Sequence, residues 1–597
     1  MSHKRITQWG WLLGSVREYK KAVILTPLLV MGEVVFEALI PYEIALLVNA
    51  VKAGAGSDVV LHYGAVLTAM ALCALFFGYA AGITCAQASC GLAKNLRQDL
   101  FYHIQGFSFR SLDKFSSASL VTRLTTDVQM IQMAFMLLVR TAFRAPFNLL
   151  FSFFMAYYMG GFMASVFLLV IPFLGFGMYK IARISIPLLQ SGFPQYDAMN
   201  EAVEENIKGI RAVKSFVREQ EEIEKFNRTA QQVRKLFTRA EQYIALNNPL
   251  MQLCMYGVMV FLLTQGSRII LQSKGELLDI GQFATLLTYS FQILGSLMMV
   301  SMIFVMLTFT EESLHRVREV MEERNTLVSP DNPVPGEIDG SLAFDHVSFR
   351  YSEGEGEPVL EDLAFTIRAG ETIGIVGGTG SGKSSLVQLI PRLYDVTGGS
   401  VLVGGRDVRQ YDLTDLRGAI AMVLQKNLLF SGTVADNLRW GNPEASLEEM
   451  RQACHWARAD EFIEKLPEGY EAKVEQGGNN FSGGQKQRLC LARALLKKPK
   501  ILILDDSTSA VDSRTEQSIW QAMRTALPGT TKLIIAQRLS SVEKADRILV
   551  LDQGKVAGFD THERLLAHCA LYRDMAQSQN VPVPDLVESV AEKGANL

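Results

Sequence analysis

The chain has 597 residues, of which 49% are apolar and 20% charged, and its formal net charge is −3. That apolar share is high for a soluble protein, and that charged share is too high for a chain lying wholly within a bilayer, so separate membrane and soluble parts are expected. The small negative net charge gives no reason to expect a nucleic-acid partner. The seven cysteines, Cys73, Cys85, Cys90, Cys254, Cys454, Cys490 and Cys569, are odd in number and form no CxxC pair. They read as ordinary thiols, not as a metal site or disulfide frame.

In chain order, the basic N-terminus "MSHKRITQWGWLLGSVREYKKAV" lacks a small-residue cleavage site and reads as a retained cytoplasmic segment. Six apolar runs follow, at roughly 22–50, 63–90, 133–158, 161–182, 248–271 and 280–309. Each suffices for a helix across a hydrocarbon core of about 30 Å, which takes around 20 residues. The loops after spans 1, 3 and 5 ("VKAGAGSDVVLH", "YYMGG", "QSKGELLDIG") are short and weakly charged. The segments before span 1 and after spans 2, 4 and 6 are rich in Lys and Arg, as in "KNLRQDLFYH" and "GIRAVKSFVREQEEIEKFNRTAQQVRKLFTR". The positive-inside tendency puts these, and both termini, in the cytoplasm. Their helical periodicity predicts helices running well beyond the bilayer.

The membrane part is expected over 1–320. A linker at 321–341 is marked by Pro330, Pro333 and Pro335. Short strands alternating with helices then predict an α/β domain over 342–578. The polar stretch 579–597 reads as a solvated tail.

Within the α/β part, "TIGIVGGTGSGKSSLVQLI" runs from a strand pattern into a helix pattern. Between them lies Gly377-x-x-x-x-Gly382-Lys383-Ser384. The loop of Gly377, Gly378, Thr379, Gly380, Ser381 and Gly382 can curl backbone N–H groups around phosphate oxygens. Lys383 would reach the β- and γ-phosphates, and the Ser384 hydroxyl, next to Ser385, would take Mg²⁺. "ILILDD" supplies a buried strand whose tip, Asp505, can hold Mg²⁺ through water. In "FSGGQKQRLCLARALLKKPK", Ser482, Gly483 and Gly484 open a helix as a second anion-binding terminus.

Together these motifs resemble the nucleotide-binding domain of an ABC transporter, and the six spans resemble the membrane half of an ABC exporter. The likeness covers residues 10–578. It implies an α-helical membrane domain with six transmembrane helices fused to an α/β P-loop ATPase domain, with ATP and Mg²⁺ as cofactors. It also implies that Tyr351 stacks on adenine and that Gln425 is the glutamine of the loop contacting Mg²⁺. Phe481, Ser482, Gly483, Gly484 and Gln485 form the family signature, with Phe481 in place of the usual Leu. "SAVD", ending at Asp512, resembles the D-loop. In this family two such domains pair head to tail, so each signature completes the partner's ATP site. "FSSASLVTRLTTDV" and "ENIKGIRAVKSF" resemble the two intracellular loops, with coupling helices expected near Ser117–Leu120 and Lys208–Ile210.

Three departures from the family pattern matter. The Glu that polarises the attacking water is replaced by Asp506. A general base must come within about 2.6–3.2 Å of the proton it takes. Asp is one methylene shorter, roughly 1.5 Å on the C–C bond scale, and misplacement of about 1 Å can cost about a hundredfold in rate. The switch histidine is replaced by Gln537, which can hydrogen-bond a phosphate but cannot be cationic. None of the eight histidines (His3, His62, His103, His315, His346, His455, His562, His568) is adjacent to substitute. The Gly-Glu-x-Gly element before the signature is "EQGGNN", 475–480. Defects at both chemically active positions, beside intact binding residues and an intact signature, resemble the degenerate-site subunit of heterodimeric bacterial multidrug exporters. The resemblance implies a bacterial inner-membrane protein whose partner is a second half-transporter carrying the Glu and His. A homodimeric exporter with weak ATPase, or an ATP-gated membrane regulator that does not pump, remain alternatives.

Glu33 and Glu37 share one face of span 1. Carboxylates near mid-membrane suggest a cavity attracting cationic amphiphiles, or a structural pairing with Arg140 or Arg144 of span 3. The methionines of spans 5 and 6 (Met251, Met255, Met259, Met298, Met299, Met302, Met306) suit varied ligands but equally suit packing. Small amphiphilic substrates are the class the resemblance implies.

Overall fold

The structure, a computed structural model, describes residues 11–334, 338–351, 357–506 and 513–581. They fall into two compact units: Met1–Gly106 with Phe115–Glu323, and Phe107–Lys114 with Arg324–Leu597.

The first unit is all-helical. Among the described residues, five helical stretches are long and apolar enough to cross a bilayer: Arg17–Lys52, Ser57–Gln105, Ser117–Lys208, Glu219–Ser273 and Ile280–Glu322. The third carries two of the six expected spans, Val128–Gly160 and Ser165–Lys208, joined through a 3₁₀ turn at Gly161–Ala164. Gly161 adopts φ +51°, a conformation that L side chains rarely take, although a Cβ there would meet nothing within 4 Å, so backbone conformation and not space favours glycine where the helix ends. Span 6 starts with a capping box: Gln282 N donates to Asp279 Oδ1 at 2.7 Å and Asp279 N donates to Gln282 Oε1 at 3.0 Å.

Pro41 in span 1 has no N–H to give to the Glu37 carbonyl, and hydrocarbon offers no water to replace it. Span 6 supplies partners there. Gln292 Nε2 donates to Glu37 O at 3.5 Å, Tyr289 Oη to Ala38 O at 2.6 Å and Thr285 Oγ1 to Pro41 O at 3.0 Å. Close approach is allowed because Gly281 has no side chain: a Cβ there would lie 2.3 Å from the Ala45 carbonyl oxygen. Below the apolar band, Asp127 is buried at 1% exposure and accepts from Arg316 Nε at 2.9 Å and Ser313 Oγ at 2.8 Å.

The second unit holds a six-stranded sheet in the order Lys555–Asp560, Arg547–Asp552, Thr372–Gly377, Thr531–Ile535, Ile501–Asp505, Ile420–Val423. All neighbours are parallel except the first pair. Burial on both faces explains why "ILILD" and "TKLII" read as nearly continuous apolar runs. An antiparallel sheet of Leu360–Ile367, Leu342–Phe349, Gly398–Val403 and Arg406–Asp407 packs beside it.

One expectation needs correction. Ser117–Leu120, expected as a coupling tip, lies in the first unit. The stretch that packs with the second unit is Phe107–Lys114, which contains the short helix Phe109–Lys114. The reason is aromatic: the Phe109 ring lies 6.0 Å from that of Tyr394, whose hydroxyl donates to Asp113 Oδ2 at 2.7 Å. Polar Ser117 and Ser119 have no comparable anchor to offer.

Candidate functional site

Strand register assembles the site. Ile535 is opposite both Ile375 and Asp505, so the strand Thr372–Gly377, the acidic tip and the segment leading to Gln537 end together. Ligands of parallel α/β sheets bind at these carboxyl ends.

The strand turns at Gly377 and enters the helix Lys383–Leu389. Gly382 has φ +91°, and a Cβ there would meet Leu360 Cδ2 at 2.5 Å and the Val359 carbonyl at 3.0 Å. The position therefore requires glycine for both conformation and space. Lys383 Nζ donates to Gly377 O at 2.9 Å and Gly378 O at 2.7 Å, which points the ammonium into the loop. Burial pushes its pKa below the usual lysine range, while Asp505 and Asp506 oppose that shift. Thr379, Gly380 and Ser381 complete the loop between these anchors.

Asp505 is 6% exposed and lies beside the Ser384 hydroxyl. Burial raises its carboxyl above the usual range, with the Asp506 charge adding to the shift. The Tyr351 hydroxyl lies 2.9 Å from Ser385 Oγ, and its ring packs edge-on against Tyr394 at 5.2 Å and Phe349 at 4.9 Å. This places one aromatic face beside the phosphate loop.

The two substituted positions meet. Gln537 Nε2 donates to Asp506 Oδ2 at 3.0 Å. Gln425 also faces the Asp506 side chain. Burial raises Asp506 above the ordinary carboxylate range, and those two amides and nearby cations pull it back. Its backbone is fixed as well: Asp506 N donates to Ile535 O at 3.1 Å, and the buried Gln487 side chain reaches Asp506 O at 3.4 Å. Gln487 was not singled out from sequence. Its only sequence signal is a polar residue recurring on the apolar face of the signature helix.

The signature opens the helix Gly483–Leu496 with a capping box: Gln485 N donates to Ser482 Oγ at 3.3 Å and Ser482 N to Gln485 Oε1 at 2.8 Å. Ser482 and Gly483 are exposed, and Gly484 partly so. Phe481 is buried against Phe462, with ring centroids 6.2 Å apart, so its larger side chain fills core space. The variant element "EQGGNN" is a closed turn: Asn480 Nδ2 donates to Lys473 O at 2.8 Å, and Lys486 of the signature helix donates to Gly477 O at 2.9 Å. Asp512 lies outside the described residues.

In the membrane unit, Arg144 gathers both carboxylates of span 1. Its Nη1 donates to Glu33 Oε1 at 2.6 Å, and its Nη2 to Glu37 Oε1 at 2.8 Å and Oε2 at 2.9 Å. The structural pairing weighed from sequence is what the structure contains.

Comparison with known proteins identifies the class. The ABC transporter transmembrane region family matches residues 23–297, and the ABC transporter family matches residues 360–509. The chain is similar to the uncharacterized ABC transporter ATP-binding protein Rv1273c of Mycobacterium tuberculosis, with 34% identity over 95% of this chain and 97% of that protein. It is 32% identical to the uncharacterized ABC transporter ATP-binding protein YfiB of Bacillus subtilis, over 95% of this chain and 98% of the other. Among solved structures, a bacterial Atm1-family ABC exporter with ATP bound matches with a TM-score of 0.80 and 25% identity, covering 94% of this chain and 98% of that one.

The chain belongs to the ABC transporter family: an exporter-type helical membrane domain fused to an ABC ATPase domain. It is an ATP-driven exporter, binds ATP through that domain, and belongs to a group that works as dimers in a lipid membrane.

Proposed function

We propose that this chain is one half of a heterodimeric exporter of amphiphilic compounds, including drugs. Its own ATP site is slow or inactive, and its signature completes the site of a different partner chain. The observation that carries the reading is the bond from Gln537 Nε2 to Asp506 Oδ2 at 3.0 Å. The two positions at which this chain departs from the family chemistry are each other's partners. One carboxylate oxygen is occupied by an amide that cannot take up charge, and the carboxylate is a methylene short of the water it would activate. Burial makes Asp506 a somewhat stronger base, but basicity does not replace reach: about 1 Å of misplacement costs about a hundredfold.

Binding needs none of what is lost. Tyr351 would carry adenine, and Gly377–Ser385 with Lys383 would hold the phosphates. Ser384, Gln425 and Asp505 are oxygen donors of the kind that suits Mg²⁺, and the buried Asp505 carboxylate beside the Ser384 hydroxyl fits such a hard cation. When bound, Mg²⁺ neutralises charge between the β- and γ-phosphates. ATP held here would keep the two nucleotide-binding domains closed, and hydrolysis at the partner's site would reset them. The domain limits proposed are 1–320, a linker 321–341, an ATPase domain 342–578 in which Asp512 supplies the D-loop, and a tail 579–597. The Lys- and Arg-rich segments support a bacterial inner-membrane location with both termini cytoplasmic.

Copurification of the tagged full-length chain from its own cells, read by mass spectrometry, tests the assembly. The expected result is a second half-transporter of different sequence, in equal amount, with Glu and His at the two positions. Recovery of this chain alone as a homodimer would overturn it.

A further inference from the structure

The charges of the membrane unit are ordered in depth. Glu33 is 7% exposed and wedged against span 2, where a Cβ on Gly78 would lie 3.0 Å from Glu33 Oε1. Arg144 caps both Glu33 and Glu37 and uses its two terminal nitrogens to do so. Arg140, one helical turn away, has only a 3.9 Å approach to Glu33, and its side chain keeps 36% exposure. Its Nη1 lies over Gly82, 3.8 Å from where a Cβ would be.

A cavity of about 560 Å³ opens beside these arginines. Its wall includes Arg140, Arg144, Met136, Leu137, Met299 and Met302, and neither carboxylate is part of it. The four charges sum to zero, yet the two guanidinium groups are nearest the cavity and the two carboxylates lie behind them. An occupant therefore meets the positive end of the array. The methionines and Leu137 offer an adaptable apolar wall next to it. The volume falls within the usual range for ligand sites, about 300–1,000 Å³.

We infer that this cavity binds single-chain anionic amphiphiles, an alkyl chain on the methionine wall with its phosphate, sulfate or carboxylate head on Arg140. This reverses the cationic preference that Glu33 and Glu37 suggested from sequence. It rests on the exporter reading for its role in transport, but the binding itself requires no ATP.

The test uses the full-length chain, purified with whatever copurifies, in nanodiscs of zwitterionic lipid without nucleotide. A photoreactive dodecyl phosphate is the probe, and labelled peptides are mapped. Labelling is expected on peptides containing Met136 or Met299 and Met302. Dodecyl phosphate should compete for it, and dodecyltrimethylammonium and dodecanol should compete about ten- to a hundredfold less well, the scale of one charge-assisted hydrogen bond. Arg140→Gln should weaken labelling by a similar factor, and Arg140→Lys should retain most of it. Equal competition by the cationic or neutral compound would overturn the inference, as would an Arg140→Gln variant that labels like wild type. Equal displacement by inorganic phosphate would overturn the amphiphile assignment, and equal displacement by bilayer phosphatidylglycerol would overturn the single-chain one. Site-selective labelling with a homodimer in the copurification would sink the heterodimer reading and leave this one standing.

Discussion

At the scale of single residues, the site carries Asp506 and Gln537 in mutual contact beside the phosphate loop and Asp505. Asp505 and Asp506 are adjacent carboxyls that burial pushes above the ordinary range. A carboxyl raised in the folded state favours folding while protonated; that contribution is full below its unfolded pKa and is lost as pH rises through the folded value. Ionised Asp505 is therefore a liability at neutral pH when no cation is bound. Asp505→Asn should raise the thermal midpoint of the nucleotide-binding half at pH 7 without Mg²⁺, and the gain should shrink as pH falls through the raised carboxyl range. The same variant should lose stabilisation by Mg-ATP. Thermal shift with and without Mg-ATP checks both, and an unchanged midpoint at pH 7 would contradict the burial argument. The sequence named Asp505, Asp506 and Gln537 by position in a motif. It did not reveal that Gln537 and Asp506 bond each other, because strand register rather than chain distance brings residues 31 apart into contact.

At the scale of elements, periodicity and apolar length located the spans, since a bilayer imposes them almost without regard to sequence detail. Spans 3 and 4 follow each other with no loop longer than the 3₁₀ turn Gly161–Ala164. The misplaced element is instructive. Phe109–Lys114 has no more apolar character than its neighbours, and its place follows from one ring and one hydroxyl on Tyr394, some 280 residues away in sequence. Such a long-range anchor leaves no local pattern to read. Tyr394→Phe removes the hydroxyl bond to Asp113 and should cost about 1 kcal/mol of local stability; Tyr394→Ala, which also removes the ring contact with Phe109, should cost more. Hydrogen exchange over 107–114 is the measurement, with faster exchange expected in that order. Equal protection in all three proteins would mean that Tyr394 does not hold the helix.

At the scale of the whole molecule, the chain is an exporter-type membrane domain fused to an ABC ATPase domain, in a group that works as dimers. On the heterodimer proposed above, its signature serves the partner's site. Ser482→Ala removes the exposed hydroxyl and half of the capping box, which alone costs about 1 kcal/mol of helix stability. In the assembled complex it should lower ATP turnover at the partner's site by at least tenfold, about 1.4 kcal/mol in the transition state. Nucleotide retained by this chain's own site should change little. Which charges line the membrane cavity was the least legible property, because ion pairing across spans 1 and 3 decides it, and no periodicity reports that. The central claim is the poor hydrolytic competence of this chain's own site. It is tested most directly by turnover at that site in the complex, with the partner's base disabled, comparing wild type with Asp506→Glu/Gln537→His. The account predicts near-background turnover in wild type and a rise of about a hundredfold in the double variant; brisk wild-type turnover, or no rise, would contradict it.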